Sequence, residues 1–207
     1  MISVVIACYN EEENIKPLIY RIIEIMKNEL SSYDYEIICI DNDSTDSTRT
    51  IIRELCSENS KIKAIFNTHN FGSIRSATFG LLQAHGDMIV KMCADFQDPP
   101  ELLINFVEEY EKGNRIVIAV KKDSEENKLM YYVRQLYYNI FSKITDIQHI
   151  NNFEGYGLYD REFIEILRSL NDPVPYFRGI VAELGFKYKI VYYHKKKRNA
   201  GKSKYNL

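Results

Sequence analysis

The feature that most constrains this chain is a repeated alternation between short apolar runs and longer stretches carrying apolar residues on one helical face. Ile2–Cys8 is a β-branched run of the kind expected for a strand covered on both faces. From Glu12 the pattern becomes helical, with Ile15, Leu18, Ile19, Ile22 and Met26 on one side. The same pairing recurs as strand Tyr35–Ile40 and a helix near Thr45–Cys56, then strand Ile62–Phe66 and a helix near Ser73–His85. Strand Met88–Met92, a helix near Pro99–Lys112 and strand Arg115–Val120 follow. Strands alternating with helices of this length imply right-handed βαβ units, and so an α/β, doubly wound, mostly parallel sheet with helices on both faces. Such sheets present ligands at the carboxyl ends of their strands, which directs attention to the residues after Cys8, Ile40, Phe66 and Met92.

Beyond Val120 the order changes. A polar loop precedes a predicted amphipathic helix marked by Leu129, Val133, Leu136, Tyr137, Ile140 and Ile144. Asp146–Gly157 reads as irregular, two short helices are predicted near Arg161–Leu170 and Tyr176–Gly185, and Lys187–Tyr193 alternates like a strand. The 207 residues suit one domain, 1–207, with a nucleotide-binding half (1–120) and a second half (121–207) ending in a basic segment. A net charge of -2 offers no general attraction to polyanions, so nucleic acid is not an expected partner and any anion site must be local. Cys8, Cys39, Cys56 and Cys93 form no C-x-x-C pair and read as buried thiols of a reducing compartment. No run approaches the roughly 18 apolar residues a spanning helix needs, so a cytosolic location is expected. The 16 tyrosines, many after residue 130, suggest a half-wet surface in the last third.

The strand ends are polar and acidic. The first gives Ala7-Cys8-Tyr9-Asn10-Glu11-Glu12-Glu13-Asn14, the second Asp41-Asn42-Asp43-Ser44-Thr45-Asp46-Ser47-Thr48. Capping by Asn10 or Ser44, and acidic residues near a helix N-terminus, account for part of this. Tyr9 and Asp41 suit stacking on a base and hydrogen-bonding a base or ribose. No G-x-G-x-x-G follows the first strand, which excludes a dinucleotide fingerprint. After the fourth strand, Asp98, Pro99 and Glu101 have the spacing of a helix start with a capping box. Asp95 and Gln97, two apart in extended backbone, would aim oxygens at one hard cation, as a diphosphate leaving group requires. His69, His85, His149 and His194 show no ligand spacing.

Taken in order, Ala7–Asn14, Asp41–Thr48, Asn70-Phe71-Gly72, Gly86-Asp87, Ala94–Glu101 and Arg198–Tyr205 resemble the family 2 inverting glycosyltransferases. The branch most resembled is that of dolichyl-phosphate mannose synthase and the bacterial polyprenyl-phosphate glycosyltransferases, and the resemblance spans essentially the whole chain. It implies a GT-A fold, a nucleotide-sugar donor, Mg²⁺ or Mn²⁺, and inverting transfer to a polyprenyl phosphate at the cytoplasmic face of a membrane. Carried over by position, Ala7, Tyr9, Glu11, Asp41 and Asn42 line the nucleoside pocket, and Asp95 and Gln97 hold the metal. Arg178, Arg198, Lys202 and Ser203 bind donor diphosphate or acceptor phosphate, which the planar arginine fork suits. Asp95, Gln97, Arg178 and Arg198 are the residues expected to carry catalysis.

The chain departs from the family pattern at Ala7 (usually Pro), Asn42 (Asp), Asp43 (Gly) and Cys93, which replaces the first acid of the Asp-x-Asp motif. Gly155 falls where relatives carry an Asp, with Glu154 adjacent, and no catalytic base is assigned. A phosphate monoester needs none, being already anionic near pH 7. Lys195, Lys196 and Lys197 read as a solvated face or as attraction to anionic lipid, at about 1 kcal/mol per residue near the surface. The expected reaction uses a UDP-sugar, with glucose or an N-acetylhexosamine as the sugar. The alternatives are a same-fold enzyme with a saccharide acceptor and a non-catalytic nucleotide-sugar-binding homologue. A homo-oligomer is compatible with the sequence.

Overall fold

The apolar runs read from the sequence assemble into one seven-stranded sheet. The computed structural model of the protein describes residues 1–122, 150–196 and 198–200; the helix predicted around Leu129–Ile144, Lys202 and Ser203 lie outside them. In chain order the elements are β1 (Ile2–Cys8), α1 (Ile15–Asn28), β2 (Tyr35–Asp41), α2 (Thr48–Glu58), β3 (Ile62–Phe66), α3 (Ser73–Leu82), β4 (Met88–Cys93), α4 (Leu102–Glu111) and β5 (Ile116–Lys121). Then come β6 (Phe153–Asp160), α5 (Arg161–Leu170), α6 (Phe177–Glu183) and β7 (Tyr188–Tyr193).

The strand order is β3-β2-β1-β4-β6-β5-β7. β1 pairs in parallel with β2 and β4, β2 with β3, and β5 with β7, whereas β6 runs antiparallel between β4 and β5. One apolar layer packs α1, α2 and α4 on one face through Ile15, Ile22, Ile52 and Phe106. A second packs α3, α5 and α6 on the other through Leu81, Phe163, Leu167 and Phe177. The doubly wound reading therefore holds, and because β1 and β2 are covered on both faces their sequences are continuously apolar rather than alternating.

β6 corrects the reading of Asp146–Gly157 as irregular, since the strand begins at Phe153. Glycines at 155 and 157 and the charged Glu154 hide its period, although Phe153, Tyr156, Leu158 and Tyr159 are all buried. Gly157 is there for closeness: a Cβ on it would lie 2.5 Å from the Val117 carbonyl oxygen of β5. Gly86 has a similar reason, with a Cβ position 2.7 Å from the Ser3 backbone nitrogen. The tyrosine expectation holds for one part of the last third, where Tyr176, Tyr188 and Tyr192 are exposed, while Tyr156, Tyr159 and Tyr193 are core residues.

Ser3 and Glu36 are the polar exceptions within the buried strands. Glu36 accepts hydrogen bonds from the Ser3 hydroxyl (2.6 Å) and the His85 backbone N–H (2.7 Å), and pairs with Lys63 at 2.5 Å. Burial raises its carboxyl pKa, but these three donors outweigh burial and hold it below the usual range.

Candidate active site

The carboxyl ends of β1, β2 and β4 lie side by side, with Cys8 opposite Asp41 and Ala7 opposite Cys93. The two loops after β1 and β2 brace each other. Asn10, in the left-handed region at φ 54°, donates its backbone N–H to Ser44 Oγ (2.9 Å) and accepts from the Thr45 N–H at Oδ1 (2.8 Å). The Glu11 N–H is bonded to Thr48 Oγ1 (2.8 Å). Asn10 and Ser44 thus tie one loop to the other instead of capping the helices that follow them.

Asp41 is fully buried at the end of β2. Its Oδ2 lies 2.8 Å from Arg49 Nε and accepts the Ser44 N–H at 3.2 Å, yet among the described residues Oδ1 has no hydrogen-bond partner. A buried acceptor left unsatisfied costs about 1–3 kcal/mol, so this oxygen strongly favours a further donor. Asn42 behaves differently. Its amide donates to Asn70 Oδ1 (2.7 Å), and its oxygen accepts from Asn67 Nδ2 (3.1 Å) and the Phe71 N–H (3.0 Å). Expected in the nucleoside pocket, Asn42 is committed to holding the loop after β3. Asn70 Oδ1 also accepts the N–H of Gly72, whose φ of 82° explains the glycine of Asn70-Phe71-Gly72.

After β4 the chain turns at once. Phe96 has φ 62°, and Asp95 Oδ1 accepts the Gln97 N–H at 3.1 Å, so Asp95 and Gln97 share a tight turn and not the extended backbone expected of them. The capping-box expectation is also corrected. α4 starts at Leu102, Asp98 accepts from the Cys93 N–H (2.9 Å) and the Tyr193 hydroxyl (3.3 Å), and Glu101 pairs with Arg21. Pro99–Glu101 forms a lead-in turn through Leu102 N–H to Pro99 O at 3.1 Å. Burial pushes the Asp98 carboxyl up. Cys8 and Cys39 are buried as expected, but Cys93 is exposed and Cys56 is intermediate, all four being free thiols.

The basic segment after β7 returns across these strand ends. Arg198 Nη2 lies 2.6 Å from Glu11 Oε1, its Nη1 lies 3.3 Å from Asp95 Oδ2, and its Nε donates to Ala200 O at 2.7 Å. Asn199 N–H reaches Asp95 O (3.3 Å), and Asn14 Nδ2 donates to Glu11 Oε2 (2.8 Å) and Ala200 O (3.2 Å). One guanidinium therefore neutralises two carboxylates from different strand ends. Burial raises the Glu11 carboxyl, the bonds from Asn14 and Arg198 oppose this, and the charge of Asp95 adds to it, leaving it above its usual range. Ala7 is the penultimate residue of β1, and Tyr9 follows the strand directly. Arg178 is exposed at the start of α6, with its guanidinium 5.8 Å from the Tyr176 ring centroid.

Sequence reasoning missed the braces Asn10, Ser44 and Thr48, and the Arg49 counter-ion of Asp41. It also missed the lysines around β6. Glu154 is paired with Lys121 and with Lys195, the latter at 2.9 Å. Burial raises the Glu154 carboxyl, but the hydrogen bonds from both lysines dominate and lower it. A lysine inside the otherwise apolar β4, Lys91, was the visible signal. Among the described residues no group of three His, Cys, Asp or Glu side chains could hold a metal, and no helix is long and apolar enough to cross a membrane.

The doubly wound sheet, with an acidic, arginine-neutralised cleft at its carboxyl edge, has the GT-A fold of the solved structures it resembles. The mannosyltransferase PcManGT from Pyrobaculum calidifontis, in complex with GDP-Man and Mn²⁺, aligns with TM-score 0.61 at 20% identity over 96% of this chain and 58% of that one. Glucosyl-3-phosphoglycerate synthase from Mycobacterium tuberculosis, with Mn²⁺, UDP-glucose and phosphoglyceric acid, aligns with TM-score 0.61 at 18% identity over 98% and 72%. Residues 3–183 match glycosyl transferase family 2, and the chain belongs to that family of glycosyltransferases. An uncharacterized glycosyltransferase of Bacillus subtilis strain 168, YkcC, is 32% identical over 99% of this chain and 63% of its own length. A prophage bactoprenol glucosyl transferase homolog of Escherichia coli K12 is 31% identical over 99% and 67%. The chain thus spans about two thirds of the length of these relatives.

Proposed function

We propose that the protein transfers a sugar, with inversion, from a nucleoside diphosphate sugar to a polyprenyl phosphate at the cytosolic membrane face. The observation that carries the donor half is the buried, unpartnered Asp41 oxygen at the β2 end, beside the cluster of Glu11, Arg198 and Asp95. A base N–H or ribose hydroxyl satisfies that oxygen, and Tyr9 offers a face for the base. UDP is the preferred carrier, with glucose or an N-acetylhexosamine as sugar. Residues 1–120 serve the nucleoside and sugar of the donor, and 121–207 serve the acceptor while adding the phosphate-binding Arg178, Arg198, Lys202 and Ser203.

Asp95 and Gln97 fit a cation that arrives with the diphosphate. The cleft already holds a positive charge against Asp95, and Mg²⁺ and Mn²⁺ take oxygen ligands largely from phosphate and water, so a site with few protein oxygens suits them. Bound there, a divalent ion would neutralise the charge growing on the departing diphosphate. Arg198, released from Asp95, reaches the same phosphates, and Arg178, Lys202 and Ser203 complete the phosphate contacts. An acceptor phosphate oxygen attacks the anomeric carbon while the bond to the diphosphate oxygen breaks, and the electron pair leaves with the nucleoside diphosphate. Glu154 is not needed as a base, since the acceptor is already an anion. The names of the bactoprenol glucosyl transferase relatives and the basic Lys195 and Lys196 support the lipid acceptor.

The test is release of nucleoside diphosphate by the full-length gene product in bilayers, with a panel of UDP- and GDP-sugars, Mn²⁺ or Mg²⁺, and undecaprenyl phosphate. Turnover that requires the lipid phosphate is expected. Turnover on saccharide acceptors alone, or donor binding with no turnover on any acceptor, overturns the proposal.

A further inference from the structure

Asp98 is a carboxylate hidden behind the acidic cleft. It is 4% exposed, and both of its oxygens are engaged: Oδ2 accepts the Cys93 N–H at 2.9 Å and Oδ1 accepts the Tyr193 hydroxyl at 3.3 Å. The bond to Cys93 closes a loop over residues 93–98, and within that loop stand Asp95 and Gln97, the pair read above as holding the cation. Phe96 between them has φ 62°, a left-handed conformation that L side chains rarely adopt. Such a residue persists only where its surroundings over-determine it. Asp95 Oδ1 braces the turn from within, through the Gln97 N–H at 3.1 Å, and Asp98 braces it from the core side.

That brace is itself anchored. Tyr193 is the last residue of β7 and is buried, and its ring meets the Tyr156 ring edge-on at 6.0 Å. Tyr156, buried on β6, donates its hydroxyl to the Pro99 carbonyl at 2.6 Å. Tyrosines from two strands therefore fix Asp98 and Pro99, the residues that directly follow the turn. Past Tyr193 the chain comes back to the same turn, where Arg198 lies 3.3 Å from Asp95 Oδ2 and the Asn199 N–H 3.3 Å from Asp95 O. Asp98 does not cap α4, which starts only at Leu102. Burial raises its carboxyl, and the Cys93 N–H and the Lys91 charge oppose that. A desolvated carboxylate is tolerated when it is hydrogen-bonded, and here every hydrogen bond goes to the frame of the cation turn.

We infer that Asp98 is a positioning residue: through the Cys93 N–H and the Tyr193 hydroxyl it holds the turn that presents Asp95 and Gln97 to the divalent ion. The inference rests on the reading that Asp95 and Gln97 carry that ion, and adds the residue that orients them. Asp98 acts by geometry and touches neither donor nor acceptor. Asparagine can reproduce both contacts, its oxygen accepting the Cys93 N–H and its amide donating to the Tyr193 oxygen, whereas alanine reproduces neither.

The experiment uses the full-length gene product in bilayers and compares the wild type with Asp98→Ala, Asp98→Asn and Tyr193→Phe. The Mn²⁺ Kd is read by electron paramagnetic resonance in the presence of UDP, and the UDP Kd is read without metal. Asp98→Ala should raise the Mn²⁺ Kd about 10–100-fold, as loss of a residue that orients metal ligands does. Asp98→Asn should recover most of that loss, Tyr193→Phe should show about a threefold rise, and the metal-free UDP Kd should change less than twofold throughout. A role confined to fold stability would lower Tm and leave the Mn²⁺ Kd of the folded protein unchanged, which overturns the inference. Asp98→Asn binding Mn²⁺ as weakly as Asp98→Ala overturns it too, since charge and not position would then matter. If Asp98→Ala fails to fold, Tyr193→Phe decides, and an unchanged Mn²⁺ Kd there is the refuting result. If the wild type binds no Mn²⁺, the cation reading falls by itself, and hydrogen exchange of the Gln97 amide still decides Asp98: exchange should quicken at least tenfold in Asp98→Ala and not in Asp98→Asn, and equal rates in the three proteins refute the brace.

Discussion

Replacing Arg198 by Met should tighten the binding of Mn²⁺ to the donor-free protein while slowing turnover. In the structure Arg198 Nη1 stands 3.3 Å from Asp95 Oδ2 and Nη2 stands 2.6 Å from Glu11 Oε1, so the guanidinium and a divalent ion compete for Asp95. At 3.3 Å the attraction is about 5 kcal/mol for an effective dielectric of 20. Most of it is offset, because the released arginine regains water and loses its tether. With both side chains less than a fifth exposed (17% and 14%), the net lies between that of a surface pair and that of a buried one, about 1–2 kcal/mol. That corresponds to roughly 5–30-fold tighter Mn²⁺ binding, readable by electron paramagnetic resonance titration of free Mn²⁺. Turnover should fall by about tenfold or more, since no guanidinium at this position then reaches the diphosphate. A donor-free Mn²⁺ Kd for Arg198→Met that equals or exceeds the wild-type value would refute the competition. Asp95→Asn is the control, and should abolish Mn²⁺ binding in either background.

The remaining expectations concern the donor pocket, the adjacent glutamate and the buried network under β1. Asp41→Asn keeps the shape but weakens the acceptor at the β2 end, so the Kd for UDP measured by calorimetry should rise by roughly tenfold; an unchanged Kd removes Asp41 from the nucleoside pocket. Glu154→Gln should lower kcat by less than about tenfold, whereas loss of a true general base costs about 10²–10⁴; a larger fall, with the acidic limb of the pH profile abolished, would make Glu154 that base. Glu36→Ala removes the acceptor for Ser3, His85 and Lys63 and should cost about 2–4 kcal/mol, or roughly 5–15 °C in Tm by calorimetry, most of it from the two buried donors because Lys63 is half exposed. Because the Glu36 carboxyl is lowered in the folded state, its contribution is complete above the unfolded value of 4.5 and fades as pH falls through the folded value. The wild-type and Glu36→Ala stabilities should therefore converge in acid, and parallel curves down to low pH would contradict that. Gly86→Ala places a methyl 2.7 Å from the Ser3 backbone and should cost about 1–3 kcal/mol in urea unfolding; a neutral result would mean that β1 and β4 can separate there.

β1, β2, β4 and β5 were readable from sequence because they are covered on both faces and so largely apolar, Ser3, Glu36 and Lys91 excepted, while β3, the partly exposed edge strand, was legible from its shorter apolar run. Arg161–Leu170 was equally clear, since one face is apolar and Asp160 caps it, accepting the Phe163 N–H at 2.9 Å. β6 was not, because its two glycines and Glu154 answer to β5, Lys91, Lys121 and Lys195, which are distant in sequence. The same division runs through the site. That carboxylates and amides gather after Cys8, Ile40 and Met92 follows from the chain's alternation and the geometry of parallel sheets. Whether an individual polar residue there faces a ligand or another loop depends on what lies across the cleft. Asn42 turned to Asn67, Asn70 and Phe71, Asp41 kept one oxygen without a partner among the described residues, and Arg198 closed onto Glu11 and Asp95 from 187 and 103 residues away. Local sequence determines which residues are polar and where strands end; only tertiary packing decides which of those polar atoms are already satisfied, and the unsatisfied ones are left for ligands.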